Sequence, residues 1–334
     1  MTLRIGTRKS ALALWQAERV KGLLAARGEE CELLPMSTEG DRILDRSLAE
    51  VGGKGLFVKE LEQALSNGRA DLAVHSAKDV PYALPDEMTL SAFPAREAVH
   101  DALVAPGRLT FAGLRHGARV GTSSLRRAVH LLAARPDLVI VPVRGNVQTR
   151  LARATGGAVL RGGVEVWPAA GDPQGPLDAV VLALAGLRRL GLEHHVTEVL
   201  PIELSLPAAG QGALAIEAVR GSRGEAATRP LDDRATSLCV RAERAVLARL
   251  GGGCTVPVAA YAQLEGDVLW LRAAVGGPGG DGGVSLVRTE ARGPAADPES
   301  LGTAVGGALL EKGGAALLEA TRSQAFGLPA PKRA

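Results

Sequence analysis

A lysine and an aspartate stand side by side in the segment Val-His-Ser-Ala-Lys-Asp-Val-Pro, residues 74–81. The apolar run Asp71–Val74 is predicted to end a buried strand, and the closing proline disfavours helix for the residue before it, so Lys78 and Asp79 are predicted to lie in a turn. Ligands of open α/β sheets bind at the carboxyl ends of the strands. The pair indicates either charged chemistry at such a place or a solvated ion pair on a surface turn, and these residues alone leave both open.

Arginines recur at or just after the carboxyl ends of predicted strands. Each guanidinium is a planar fork that suits carboxylate and phosphate groups. One arginine on a helix is more often a solvated residue, but six at corresponding places indicate a polyanionic ligand. Phosphate is one such ligand, although the sequence has no Gly-x-x-x-x-Gly-Lys loop and no Gly-x-Gly-x-x-Gly fingerprint. The six are Arg8, Arg126, Arg127, Arg144, Arg150 and Arg189.

Cys254 follows three glycines, Gly251–Gly253. Glycines bring no side chains to bury a thiol, and they let a loop move or approach another backbone closely. The thiol is therefore a candidate nucleophile or attachment point. No Cys–His pairing is evident, which disfavours a thiol hydrolase. Cys31 and Cys239 are expected to be inert core residues, and the histidines show no metal-site spacing.

The elements that must position these residues alternate between strands and helices. This order predicts two α/β lobes with mostly parallel sheets. In each lobe a strand leads through Gly-Thr and polar residues into a helix, at Ile5–Ser10 and at Val120–Leu125. Helix N-termini in such places are natural anion sites, and we expect both to face one cleft. After residue 232 a helix, three strands and two helices predict a small α+β domain.

Composition narrows the class of protein. The chain has 334 residues, of which 46% are apolar, and a formal net charge of +3, which allows two or three domains. Basic blocks interleaved with aromatic residues are missing, so nucleic-acid binding is not favoured. The sequence shows no apolar signal region and no run as long as a membrane span, and its three cysteines are scattered. We therefore expect a soluble cytoplasmic protein.

Seven stretches resemble the porphobilinogen deaminase family, in the family's order and over nearly the whole chain. They include Thr-Arg-Lys-Ser-x-Leu-Ala-Leu-Trp-Gln, His-Ser-x-Lys-Asp-Val-Pro, Gly-Thr-Ser-Ser-Leu-Arg-Arg and Arg-Gly-Asn-Val-x-Thr-Arg. So many motifs in one order are far more specific than any single one. The stretches lie at residues 7–16, 51–60, 75–81, 121–127, 144–150, 206–212 and 252–254.

The resemblance implies a monomeric transferase of tetrapyrrole (haem) biosynthesis, with two lobes like those of periplasmic binding proteins around a cleft. Four porphobilinogen molecules would be joined head to tail with loss of ammonia, and water would release hydroxymethylbilane. A dipyrromethane cofactor, built from the enzyme's own substrate, would be held by a thioether to Cys254. Domain 1 would comprise residues 1–98 and 212–229, domain 2 residues 99–211, and domain 3 residues 230–334.

The resemblance also implies roles for residues. Asp79 matches the catalytic aspartate, which would stabilise the cationic azafulvene left by ammonia and shuttle the pyrrole proton. Asp41 matches a supporting acidic position, and Lys54 and Phe57 lie in what resembles a mobile lid. Each pyrrole carries an acetate and a propionate, so a cationic cleft is the expected counter-surface. The other cofactor- or substrate-binding positions are Arg8, Ser10, Lys78, Thr122, Ser123, Ser124, Arg126, Arg127, Arg144, Arg150, Arg189 and Gln211.

Two features depart from the family pattern. Glu50 stands where the family commonly has lysine, which lowers the positive charge of the expected lid. The Gly- and Pro-rich stretch at about 156–176 is longer than the usual turn. We expect an exposed excursion from domain 2, with a place at the cleft rim as the alternative.

A two-lobed protein that binds carboxylates or phosphates without catalysis is the competing interpretation. It would explain the arginines and the paired lobes, but not a third domain or Cys254 on a glycine loop. A thiol transferase is a weaker alternative, which the reactivity of Cys254 toward thiol reagents would distinguish.

Overall fold

The residues that the structure describes form two five-stranded sheets, a three-stranded sheet and a pair of antiparallel strands. The computed structural model describes residues 2–38, 55–155, 159–161, 164–166, 176–252, 256–280 and 282–323. The strands are β1 (Leu3–Arg8), β2 (Cys31–Met36), β3 (Leu72–Ser76), β4 (Met88–Ala92), β5 (Asp101–Val104), β6 (Arg119–Gly121), β7 (Val139–Val141), β8 (Val159–Arg161), β9 (Val164–Val166), β10 (Ala179–Ala183), β11 (Glu198–Val199), β12 (Leu214–Val219), β13 (Val258–Glu265), β14 (Val268–Pro278) and β15 (Val284–Pro294). The helices are α1 (Ala11–Ala25), α2 (Gly55–Ser66), α3 (Leu125–Ala134), α4 (Val147–Thr155), α5 (Leu184–Arg189), α6 (Arg223–Thr228), α7 (Arg234–Arg249), α8 (Pro298–Leu309) and α9 (Ala315–Ser323).

The first sheet has the strand order β2-β1-β3-β12-β4. Strand β1 runs parallel to β2 and β3, whereas β12 runs antiparallel to β3 and β4. The central strands are apolar on both faces, and Ile5, Leu72 and Ile216 are fully buried. Strand β12 therefore brings a late part of the chain back into the N-terminal sheet.

The second sheet repeats this plan. Read from β7, its order is β7-β6-β10-β5-β11. Strands β7, β6 and β10 are parallel, and β5 is antiparallel to both β10 and β11. The order and strand directions thus match those of the first sheet, so the two α/β lobes predicted from the repeated Gly-Thr pattern share one arrangement of strands, although the antiparallel strand comes late in the chain in the first sheet and early in the second.

The third sheet is the antiparallel meander β13-β14-β15. Helices α7 and α8 cover it and lie very close together. Gly302 allows this close approach, since a Cβ atom there would come within 2.3 Å of the Ala242 carbonyl oxygen. The sheet and its helices enclose a separate apolar cluster that includes Val246, Leu271 and Leu309. The fold is thus α/β with a small α+β unit at the C-terminal end. No helix among the described residues is long and apolar enough to cross a membrane.

Some elements differ from the prediction. Residues 220–230 are mostly polar and would be expected to form a linker, but they contain α6. Ser222 caps this helix by accepting from the Glu225 N–H at 3.2 Å, and the Glu225 carboxylate accepts from the Gly221 N–H. The sequence Ser-x-x-Glu is a signature of a helix N-terminus, and it could have predicted this helix. Within the stretch 156–176, the short strands β8 and β9 pair antiparallel. The rest of the stretch lies mostly outside the described residues, so the expected exposed excursion and the alternative place at the cleft rim cannot be compared with the structure.

Candidate active site

Asp79 ends a single 3₁₀ turn, Ala77–Asp79, that follows directly after β3. The Ala77 N–H donates to the Ala213 carbonyl at 3.0 Å, and the Val80 N–H donates to the Ala77 carbonyl at 3.3 Å. The turn predicted for Lys78 and Asp79 is thereby confirmed. Gly210 packs closely against this turn and has a φ of +71°. A Cβ atom at Gly210 would lie 3.0 Å from the Lys78 backbone nitrogen. Only glycine fits this close approach.

A serine caps the N-terminus of each of two helices. The Ser10 hydroxyl accepts from the Ala13 N–H at 3.3 Å at the start of α1. The Ser124 hydroxyl accepts from the Arg127 N–H at 3.4 Å at the start of α3. Each helix follows a strand of its own sheet, so the two N-termini occupy corresponding places in the two lobes.

The polar residues before α3 are tied to the backbone around them. The Thr122 hydroxyl accepts from the Ser124 N–H at 3.2 Å, and the Thr122 N–H donates to the Val141 carbonyl at 2.9 Å. The Ser123 hydroxyl donates to the Val143 carbonyl at 2.6 Å. These bonds fix the loop that carries three of the predicted binding residues.

Asp101 is a fully buried carboxylate that sequence reasoning missed. Arg126 reaches it from Nη1 at 2.8 Å, and Arg127 reaches it from Nε at 2.9 Å. The Gln211 side-chain amide donates to it at 3.0 Å and the Ser205 hydroxyl at 2.7 Å. Burial alone would raise the pKa of Asp101, but the two guanidinium groups hold it far below its usual range. The cluster therefore contains one anion and two cations.

The guanidinium groups of Arg126 and Arg127 also donate hydrogen bonds to buried backbone carbonyls. Arg126 also donates to the Leu206 carbonyl at 2.6 Å, and Arg127 donates to the Val181 carbonyl at 3.0 Å. The Nε of Arg126 is buried without a hydrogen-bond partner. The signal that could have revealed Asp101 is an acidic residue opening an apolar strand, since such a group is buried only when paired.

Cations crowd the neighbourhood of Asp79. Burial and then the charge of Arg127 lower the pKa of Lys78 to about 7, with Asp79 opposing the shift. Burial and then Arg127 lower the pKa of Arg150 to about 10, with a further contribution from Arg144 and again opposition from Asp79. Arg150 also donates from Nε to the Gly145 carbonyl at 2.8 Å. This local excess of positive charge suits a ligand that carries several carboxylates.

Arg189 lies at a different place from this cluster. Its Nη2 donates to the Gly212 carbonyl at 2.6 Å, and its guanidinium lies 5.7 Å from the centre of the Trp15 ring. Burial lowers its pKa to about 10, with Glu97 opposing. Gly212 precedes β12, so Arg189 touches the chain where it passes from the second lobe back to the first.

Several predicted residues cannot be compared with the structure. Asp41, Lys54 and Cys254 lie outside the described residues, as does the side chain of Phe57, whose backbone belongs to α2. Arg8 is the last residue of β1. No group of three His, Cys, Asp or Glu side chains in the described part of the chain is arranged to hold a metal ion.

Two family models match the chain. The model described as porphobilinogen deaminase, dipyromethane cofactor binding domain, matches residues 3–226. The model described as porphobilinogen deaminase, C-terminal domain, matches residues 237–311. Together they cover most of the sequence.

Solved structures give weaker likenesses. The chain is similar to a YaeC family lipoprotein from Enterococcus faecalis V583, with 12% identity and a TM-score of 0.37, over 69% of this chain and 90% of that chain. A periplasmic substrate-binding protein of an ABC transporter from Coxiella burnetii has 14% identity and a TM-score of 0.40, over 69% of this chain and 92% of that chain. The aliphatic sulphonate binding protein SsuA from Escherichia coli has 17% identity and a TM-score of 0.38, over 74% of this chain and 70% of that chain. At these values the likenesses carry no functional weight.

Proposed function

The chain belongs to the porphobilinogen deaminase family, and from this premise we propose how its own residues carry out the reaction. The protein is a transferase of tetrapyrrole biosynthesis. It condenses four porphobilinogen molecules head to tail, with loss of ammonia, into hydroxymethylbilane on a dipyrromethane cofactor. The observation that carries the assignment of roles is the turn that presents Asp79 beside Lys78, where the charge of Asp79 also acts on Arg150.

The described residues fit a cofactor that bears carboxylates. Lys78 and Arg150 have lowered pKa values because burial and neighbouring cations disfavour their charged forms, and bound carboxylates would relieve that repulsion. The buried Nε of Arg126 is a further unused donor. When bound through Cys254, the dipyrromethane supplies the pyrrole carbon to which the first substrate is joined. Lys78, Arg127 and Arg150 would hold its acidic side chains.

Asp79 is the proposed catalytic carboxylate. The cation that forms when ammonia leaves porphobilinogen needs a nearby anion, and the pyrrole nitrogen needs a hydrogen-bond acceptor. Asp79 is only partly buried at the end of its turn, whereas Asp101 is sealed by two arginines and fully buried. We therefore assign to Asp79 the role of stabilising this cation and of accepting the proton lost as the pyrrole ring becomes aromatic again.

The remaining predicted residues divide by their contacts. The charges of Asp79 and Arg144 both act on Arg150, and Arg144 and Arg150 would bind substrate acetate and propionate groups. Arg126 and Gln211 would chiefly brace Asp101 and the 206–212 loop, since their described bonds run to these groups. Arg8, Ser10 and the Thr122–Ser124 loop would line the two helix N-termini, and Asp41, Lys54, Phe57 and Arg189 stay in the proposed binding set.

We extend the proposal to the whole molecule. The protein would act as a cytoplasmic monomer without a nucleic-acid partner. Its first domain would comprise residues 1–98 and 212–229, which is supported by the pairing of β12 with β3 and β4. Its second and third domains would comprise residues 99–211 and 230–334.

The intact mass of the purified protein beside a Cys254→Ala variant tests the proposal. We expect an excess equal to one dipyrromethane that is absent from the variant. An apo-form should gain this mass on incubation with porphobilinogen. A bare chain that gains no mass would contradict the assigned anchor and would favour a carboxylate-binding protein without catalysis.

A further inference from the structure

The guanidinium of Arg244 holds the segment that immediately follows Asp79. Its Nη1 donates to the Val80 carbonyl at 3.2 Å, and its Nη2 donates to the Pro81 carbonyl at 2.7 Å and to the Tyr82 carbonyl at 3.2 Å. One side chain thus binds three consecutive carbonyls. Arg244 belongs to α7 in the C-terminal unit, while the carbonyls belong to the first lobe, so the contact joins two parts of the molecule.

The segment needs such a contact because it contains little regular secondary structure of its own. The 3₁₀ turn that ends at Asp79 is a single turn, and the backbone beyond it leaves the sheet in an extended conformation at Val80. Val240, one helical turn before Arg244, packs in the same apolar cluster as Ala77 and Val80. One face of α7 therefore supports the turn by apolar packing and fixes the chain after it by hydrogen bonds.

The same helix leads towards the proposed cofactor anchor. Helix α7 ends at Arg249, and the Gly252 N–H donates back to the Leu247 carbonyl at 3.0 Å. Gly251 takes a φ of +56° at this helix end. Cys254 follows two residues after Gly252. In the sequence, Cys254 thus comes soon after the helix that binds the segment following Asp79.

We propose that Arg244 is a positioning residue for the reaction, which holds the Asp79 turn in place through its three hydrogen bonds to residues 80–82. The inference rests on the proposed role of Asp79 and adds a residue that touches neither substrate nor cofactor. Burial lowers the pKa of Arg244 to about 10, with Glu217 opposing, so the guanidinium remains charged at neutral pH and its donors stay in place. A shift of the turn by about 1 Å is enough to reduce turnover about a hundredfold.

Arg244→Met and Arg244→Lys test this inference, with Arg241→Met as the matched control. Arg241 lies on the same helix but pairs with Glu299 at 2.6 Å on an exposed surface. We expect Arg244→Met to keep the mass of the dipyrromethane and a KM within about threefold, while kcat falls roughly ten- to a hundredfold. Arg244→Lys should recover part of kcat, and Arg241→Met should behave as the unmodified protein. All rates are divided by the loaded fraction measured by intact mass, so incomplete loading does not mask the effect.

A double-mutant cycle with Asp79→Ala separates the inference from its premise. The rate of the first porphobilinogen addition, followed by mass, is measured for both single variants and the double variant. If Arg244 acts through Asp79, Arg244→Met should lower this rate little further in the Asp79→Ala background. Independent, multiplicative losses, or an Arg244→Met kcat within twofold of normal, would overturn the positioning role while Asp79→Ala keeps only a small residual rate of first addition. An active Asp79→Ala variant would instead overturn the proposed role of Asp79, and the inference with it.

Discussion

Arg96 and Glu243 form a bidentate ion pair between the first lobe and the C-terminal unit, with Nη1–Oε1 at 2.7 Å and Nη2–Oε2 at 3.0 Å. The Glu243 carboxylate also accepts from the Gly210 N–H at 2.7 Å and from the Ala262 N–H at 2.9 Å, and it is fully buried. Gly210 is the residue that presses on the Asp79 turn. The pair therefore fastens together the turn, the loop beside it and the third sheet.

Glu243→Gln should destabilise the fold by about 3–5 kcal/mol, because it leaves the largely buried guanidinium of Arg96 without its counter-ion. Urea unfolding at neutral pH measures the loss. Glu299→Gln is the matched control, since its pair with Arg241 is exposed and should contribute about 1 kcal/mol or less. Equal effects of the two substitutions would show that the buried pair has no special part in holding these elements together.

Asp101→Asn should also cost about 3–5 kcal/mol, because Arg126 and Arg127 would then face each other in the interior without a neutralising charge. Urea unfolding provides the comparison, with Glu265→Gln of the exposed Arg292 pair as the control. A loss no larger than that of the control would mean that the two arginines find other compensation, and the cluster would not be the anchor of α3 that its geometry indicates.

Local patterns in the sequence account for much of this architecture. Helices were predicted to follow the Gly-Thr patterns at Ile5–Ser10 and Val120–Leu125, and α1 and α3 begin there, because caps and periodicity depend on neighbouring residues. Strand β5 was missed, although it opens with the buried Asp101. A run of four residues is too short for periodicity to distinguish strand from loop.

Contacts between residues that are far apart in the sequence could not be predicted from local patterns. Arg126 was predicted to bind ligand carboxylates, yet its described ion pair is with Asp101. The residue types at 126 and 127 indicate only that carboxylates are wanted, and nothing in the neighbouring sequence says which carboxylate will be adjacent after folding. The same holds for Arg244, whose acceptors are backbone carbonyls of the first lobe and therefore leave no trace in side-chain identity.

Arg150→Ala should stall elongation more than it impairs folding. The pKa of Arg150 is already lowered by burial and by the charges of Arg127 and Arg144, so its removal relieves repulsion in the protein without ligand. In the complex, a substrate carboxylate would lose its partner, which typically costs about 2–5 kcal/mol. The distribution of enzyme–substrate intermediates on a native gel measures the effect. Arg153→Ala is the control, because Arg153 lies on the same helix and its guanidinium makes an exposed contact with the Pro142 carbonyl. An unchanged distribution of intermediates for Arg150→Ala would contradict the polyanion site.

His130 should make the fold less stable as the pH falls from about 6.5 to about 4. Its Nδ1 donates to the Arg126 carbonyl at 2.8 Å, and its Nε2 is buried without a partner. Burial, then Arg126 and also Arg288, lower its pKa from 6.5 to about 4, while Asp101 opposes the shift. Between these two values the unfolded chain binds a proton that the folded protein does not, so unfolding becomes easier by up to about 1.4 kcal/mol per pH unit.

The variant His130→Gln removes this titration while keeping a side chain that can donate to the same carbonyl. Free energies of unfolding in urea at pH 7.5 and pH 5.0 are compared for the unmodified protein and the variant, so that the other ionisable groups cancel in the difference. We expect the variant to lose less stability on acidification than the unmodified protein, and the exposed His194→Gln variant to follow the unmodified protein. An equal loss at His130→Gln would show that this buried ring does not contribute to the acid sensitivity of the fold.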